Sequence, residues 1–211
     1  MLDATIENEI VTVQGIKGYG KTNGVKCMVS NKPKVFTIDI RHEYKHFQHY
    51  YKFNDFILAL YHKSFDENEF KVAFTFNTKS EYIKLFYFLQ AAGKCTLIID
   101  EADSLFQIRE FHNPLFNLFL GARNKQVDLF LVGKRPFLIP PSIRSQTDRF
   151  IIFRVEEEQD IRYLEKRLRT ELPKSPMQLA KGECLISDRD KKMKLYHFDK
   201  FDDAKKYDIN I

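Results

Sequence analysis

Short apolar runs alternate along this chain with longer stretches of helical periodicity. Residues 10–14 (Ile-Val-Thr-Val-Gln) make a run of strand length, and 21–30 follow as a helix. The order then repeats. A strand over 34–40 precedes a helix over 55–63, in which Phe56, Ile57 and Leu60 are apolar. A strand over 70–76 precedes a helix over 80–92, with Tyr82, Leu85, Phe86 and Leu89 at helical spacing. Residues 95–100 form an apolar strand, and 114–121 a helix that starts near Pro114 and stops at Gly121. Further strands fall at 127–132 and 150–155, and 157–170 places Ile161, Leu164 and Leu168 on one helix face. Residues 183–187 and 194–198 pair as a terminal hairpin across Asp188, Arg189 and Asp190. Strands that are apolar throughout, alternating with helices, predict an α/β fold: a mostly parallel central sheet with helices on both faces.

Composition narrows the class. The chain is 44% apolar and 30% charged, which suits a globular protein and excludes a disordered one. Twenty Phe and ten Tyr without a single Trp point to a core built largely of rings. No apolar run nears the roughly 20 residues of a membrane span. Residues 1–10 carry acids and lack the basic-then-apolar order of a signal peptide. Cys27, Cys95 and Cys184 are too far apart for a zinc spacing or a disulfide framework, so a reducing, cytoplasmic setting is expected. The length fits one domain, a core over 9–172 with a C-terminal extension over 173–211 that begins between Pro173 and Pro176. The net charge of +5 permits contact with nucleic acid without demanding it.

Chemistry enters at residues 15–22. Gly15-Ile16-Lys17-Gly18-Tyr19-Gly20-Lys21-Thr22 matches G-x-x-x-x-G-K-[ST], after an apolar strand and before a helix, the context a phosphate-binding loop requires. The glycines let successive N–H groups turn onto phosphate oxygens, and the helix start adds its positive dipole end. Lys21 is placed to reach the β- and γ-phosphates of ATP, and the Thr22 hydroxyl to ligate Mg²⁺. The strand over 95–100 ends in Asp100, followed by Glu101. Its position predicts that Asp100 holds Mg²⁺ and that Glu101 orients or deprotonates the attacking water. A Glu after the Asp favours hydrolysis over transfer to a small acceptor.

His42-Glu43-Tyr44-Lys45-His46 matches the zinc-protease pattern H-E-x-x-H, with His49 a third imidazole. Zinc chemistry would need all of this on one well-formed helix and a further ligand. A His-rich loop after a strand is the simpler reading.

With these residues in place, the chain resembles the FtsK–HerA superfamily of P-loop ATPases. The segment Asp39 to Tyr44 is similar to the family's D-x-x-x-E-Y, and Gly121-Ala122-Arg123-Asn124-Lys125 precedes a strand where the family places its arginine finger. Val132-Gly133-Lys134-Arg135-Pro136 resembles the strand-ending Q-R-P, with Lys134 at the position of the sensor Gln. The likeness extends over roughly residues 9–190, through Leu179-Ala180-Lys181-Gly182-Glu183. Within that superfamily the size is similar to that of the minimal genome-packaging ATPases of membrane-containing icosahedral viruses. The resemblance implies an ATP-hydrolysing translocase of double-stranded DNA in a hexameric ring, with Arg123 acting on a neighbour's nucleotide, Lys134 near the γ-phosphate and capsid or portal-vertex proteins as partners. A viral protein of this kind would work in the host cytoplasm and could also be carried in the virion. Arg109 and Lys125 are candidate basic positions for DNA contact, with an ordinary surface charge the simpler reading of each. Two other readings stay open: a nucleotide-dependent switch that moves no DNA, and an export ATPase of conjugation, secretion or filamentous phage.

Overall fold

The computed structural model describes residues 9–62, 69–168, 172–187 and 192–202. In chain order the strands and α-helices are β1 (Ile10–Gln14), α1 (Lys21–Val29), β2 (Lys34–Ile38), β3 (Gln48–Tyr50), α2 (Phe53–Tyr61), β4 (Phe70–Phe74), α3 (Lys79–Ala92) and β5 (Cys95–Ile99). They continue with α4 (Ala102–Leu105), α5 (His112–Ala122), β6 (Val127–Gly133), α6 (Pro141–Arg144), β7 (Arg149–Ile152), α7 (Glu158–Leu168), β8 (Glu183–Ser187) and β9 (Met193–His197). The strands form one mixed, mostly parallel sheet in the order β3-β4-β2-β5-β6-β1-β7-β8-β9. The fold is α/β with a mostly parallel sheet, as the alternation of elements predicts, and is that of a P-loop NTPase, as the motif at residues 15–22 implies.

The chain divides into two compact units. The first comprises Met1–Glu9, Lys32–Asp100 and Gln107–Leu129, and the second Ile10–Asn31, Glu101–Phe106 and Phe130–Ile211. In the first, β2 pairs in parallel with both β4 and β5, and β3 with β4. Phe36 on β2 meets the rings of Phe56, Phe70, Phe74 and Phe88, and Phe56 also meets Tyr50 and Phe53. Most of these contacts are edge-to-face, the geometry favoured by ring quadrupoles. The aromatic core expected from composition lies here. Helix α3 turns Tyr82, Leu85, Phe86 and Leu89 inward, the face its spacing marks.

In the second unit β1 and β7 are parallel, and β7, β8 and β9 run antiparallel in turn. The terminal hairpin is therefore present as a strand pair, while its turn at 188–190 lies outside the described residues. An aliphatic cluster of Ile152, Ile161, Leu164, Leu168, Leu179 and Leu185 packs α7 onto β7 and β8.

Two local expectations shift, and one short strand goes unread in the sequence. Strand β2 ends at Ile38 and not at 40, because the Asp39 carboxylate accepts the Glu43 and Tyr44 N–H groups, each at 2.9 Å, and turns the chain. Helix α5 runs through Gly121, which has open space around its Cβ position. The chain turns instead at Gln126, whose φ is +57°. Strand β3 is three residues long, too short to show a period.

Candidate nucleotide site

The residues of the phosphate loop sit in the second unit between β1 and α1. Gly15, Gly18 and Gly20 have φ of +147°, +87° and +105°, a region that side chains resist. A Cβ at Gly15 would lie 2.7 Å from Phe153 Cβ, so glycine is also required by contact. The loop is tied at both ends. Ile16 N–H donates to the Arg154 carbonyl at 2.8 Å, and Gly182 N–H donates to the Tyr19 carbonyl at 3.1 Å. The Arg154 guanidinium lies over the Tyr19 ring, 5.2 Å from its centroid. Helix α1 starts at Lys21 behind Gly20, which has no side chain to cap it. Its first-turn N–H groups thus suit an anion. Lys21 Nζ reaches across the loop to the Ile16 carbonyl at 3.0 Å, while Lys17 and Gly18 are exposed. These residues fit a nucleotide phosphate chain.

The far side of α1 is also anchored. Rings of Phe153 and Phe198 close on Gly24, where a Cβ would lie 2.9 Å and 3.0 Å from their atoms. The Asn23 amide donates to the Asp199 carbonyl and accepts from Phe201 N–H, both at 2.7 Å. Residues 198–202 thereby dock on the helix that carries Lys21 and Thr22.

Asp100 follows β5 as the last residue of a segment of the first unit and is buried. Its carboxylate and the Thr22 hydroxyl are hard oxygen donors, the type magnesium takes. Glu101 belongs to the second unit and has left-handed backbone, φ 54° and ψ 40°. Lys134, just past β6, brings Nζ to 3.2 Å from Glu101 Oε2. The structure thus joins two of the expected site residues directly. Arg123 stands exposed at the C-terminal end of α5, in the first unit.

Sequence reasoning overlooked several buried carboxylates. Asp103 accepts Lys134 N–H at 3.3 Å, and Asp160 receives both Arg135 Nε at 2.9 Å and Phe137 N–H at 3.2 Å. That hydrogen bond and charge pair raise the Arg135 pKa further. No local signal marks either acid, because their partners lie 31 and 23–25 residues away.

The His-Glu-x-x-His stretch is not a helix. Residues 41–47 form turns, His42 has φ +56°, and His49 lies on β3. Asp39 organises this stretch, and Tyr44 is fully buried, its hydroxyl pKa pushed up by burial and by Asp100, Asp39 and Glu43. Among the described residues no group of three or more His, Cys, Asp or Glu is arranged for a metal ion. No helix there is long and apolar enough to cross a membrane.

The family described as "ATPase family associated with various cellular activities (AAA)" matches residues 11–155, which include the phosphate loop, Asp100 and Glu101. No curated protein sequence matches the chain. Among solved structures, it is similar to B204, the genome packaging NTPase of Sulfolobus turreted icosahedral virus 2, in complex with ATPγS. Identity is 20%, the TM-score is 0.71, and the match covers 90% of this chain and 97% of that one. It is also similar to the pCW3 conjugation coupling protein TcpA (16% identity, TM-score 0.62, covering 94% of this chain and 62% of that one). A third likeness is to Thermomonospora curvata EccC with a signal sequence peptide (12% identity, TM-score 0.62, covering 93% and 38%). At these identities the likeness is one of fold. The chain belongs to the ATPase family associated with various cellular activities, and its activity is the hydrolysis of ATP.

Proposed function

We propose that this ATPase moves double-stranded DNA, as a subunit of a hexameric ring that packages a viral genome. The observation that carries this reading is the nearly end-to-end mutual coverage with the B204 proteins, one of them the DNA-packaging ATPase from Sulfolobus turreted icosahedral virus, at 90% of this chain and 97% of that one. The phosphate loop of residues 15–22 cradles the ATP phosphates, and Lys21 draws charge from the β- and γ-oxygens. Thr22 and Asp100 hold magnesium, which when bound neutralises the charge that builds on the phosphates. Glu101 orients and deprotonates the attacking water. Arg123 of one subunit stabilises the transferring phosphoryl group bound by the next. The whole chain acts as one ATPase domain in this scheme.

DNA would be gripped through its phosphates without reading bases, so affinity should fall steeply with salt. Capsid or portal-vertex proteins would dock the ring, which works in the host cytoplasm and, if it is retained on the particle, in the virion. The likeness to TcpA and EccC favours one competing reading, an export ATPase whose cargo is protein or single-stranded DNA. Filter binding at rising salt separates them, since a packaging motor prefers long duplex over single strands and over peptide.

Subunit mixing tests the role of Arg123. Arg123→Ala subunits combined with Lys21→Ala subunits should recover hydrolysis that neither shows alone. If mixing restores nothing, Arg123 does not act across subunits.

A further inference from the structure

Lys134 stands where the sequence resemblance sets a γ-phosphate sensor, yet its contacts lead elsewhere. Its ammonium lies 3.2 Å from Glu101 Oε2, with the Glu101 side chain 14% exposed and that of Lys134 39%. Its backbone N–H is held by Asp103 Oδ2 at 3.3 Å. Asp103 is 4% exposed and lies two residues past Glu101, on the same short turn. One buried carboxylate therefore fixes the end of β6, and that strand end aims an ammonium at the carboxylate expected to activate water.

The surroundings show that this arrangement is built. Asp103 Oδ1 is buried without a protein hydrogen-bond partner, and so are both amide atoms of Gln14, the residue before Gly15. A Cβ at Gly133 would lie 3.4 Å from both Asp103 Oδ1 and Gln14 Oε1. Asp103 and Gln14 thus both border the end of β6 at Gly133. Such buried polar atoms are costly unless a water, an ion or a ligand completes them. Glu101 adds left-handed backbone, another strained feature in the same place. A glutamate on such a turn has free side-chain torsions unless something holds it, and Lys134 is a charged group in position to do so.

We propose that Lys134 and Asp103 are positioning residues for Glu101: Asp103 fixes the backbone of Lys134, and the Lys134 ammonium fixes the Glu101 carboxylate where it meets the attacking water. Lys134 then acts through Glu101 and not by binding the γ-phosphate. The proposal rests on Glu101 as the water-activating group.

The test is a double-mutant cycle on the full chain, read by single-turnover hydrolysis and by the Kd of a fluorescent, non-hydrolysable ATP analogue. Lys134→Met should slow hydrolysis about tenfold to hundredfold, the scale of a misplaced catalytic group. Its analogue Kd should stay within about twofold of the parent, because no phosphate contact is lost. Lys134→Arg should recover most of the rate, since it keeps a cation on the same strand end. Lys134→Met added to Glu101→Gln should cost less than about twofold beyond Glu101→Gln alone, as expected of residues acting as one unit. Asp103→Ala should reproduce Lys134→Met; Lys134→Met carries the test alone if the Asp103 variant does not fold.

Losses that multiply in the double variant, or a Kd that weakens along with the rate, overturn the proposal and return Lys134 to the phosphate. A parent-like rate in Lys134→Met overturns it as well. A parent-like rate in Glu101→Gln removes the water-activating role itself, and the proposal with it.

Discussion

The two units bury different things. In the first, the interior is closed by rings around Phe36, Phe56 and Phe74, and its buried carboxylates include Asp39, which accepts two backbone N–H groups, and Asp128, which accepts Glu9 N–H and pairs with Lys32. In the second, the aliphatic cluster on α7 stands beside a set of buried or strained polar features: Gln14, Asp103, the left-handed Glu101 and three phosphate-loop glycines at positive φ. Apolar burial lowers free energy by itself, so the first unit needs no further reason for its arrangement. Buried unpaired amides cost free energy and call for a reason, whereas left-handed backbone also occurs in turns of the first unit, at His42, Lys94 and Gln126. Substitutions in the two units should therefore separate, stability falling in one and catalysis in the other.

The largest separation is expected at Glu101 and Phe56. Glu101→Gln should lower the hydrolysis rate by about 10²–10⁴-fold, the usual contribution of a positioned acid–base group, with nucleotide binding and melting temperature kept. Phe56→Ala should do the reverse. Phe56 is fully buried among rings, so its truncation should cost about 3–5 kcal/mol by denaturant titration. The rate per folded molecule should match the parent. A collapse of hydrolysis in still-folded Phe56→Ala would break the comparison.

A pair of glycines sharpens it at smaller magnitude. Gly15→Ala in the second unit meets Phe153 Cβ at 2.7 Å with φ +147°, and should cost about 1–3 kcal/mol as an overpacked, strained site, together with nucleotide affinity. Gly121→Ala in the first unit has open space inside a helix and should gain up to about 1 kcal/mol.

The last effect, absent at neutral pH, is one the units should share. Burial pushes the thiols of Cys95 in the first unit and Cys184 in the second up to about 12, from an ordinary value of 9.0. An acid with a raised folded pKa adds nothing to the pH dependence of stability below its unfolded value. Above pH 9 the unfolded chain ionises while the folded thiols stay neutral, so stability should fall between about pH 9 and 12. Replacing both cysteines by Ala should flatten that alkaline limb in urea titrations. At pH 8 the native thiols should also resist alkylation.

How far the sequence carried depends on how local each signal is. The phosphate loop was legible because all its residues are consecutive and its glycines have one structural reason each. Strand β5 and its acids were legible because a five-residue strand, apolar but for Thr96, ends at Asp100 and Glu101. The H-E-x-x-H match misleads, since a spacing cannot show that Asp39 captures the Glu43 and Tyr44 amides and keeps the segment out of a helix. Gly121 misled in the same way, because its stop signal is overridden and the chain turns at Gln126. Asp103 and Asp160 were not legible at all. Each is an ordinary surface-type residue in the sequence, buried only because a partner on a distant segment meets it.

The central claim is that hydrolysis at the phosphate loop drives duplex DNA. Steady-state ATP hydrolysis with and without long double-stranded DNA tests it most directly, with Lys21→Ala as the blank. The account predicts stimulation by duplex DNA that fades as salt rises and is absent from the blank. Hydrolysis that is lost in Lys21→Ala but indifferent to DNA at every salt concentration would contradict the translocase and leave an ATP-dependent switch in its place.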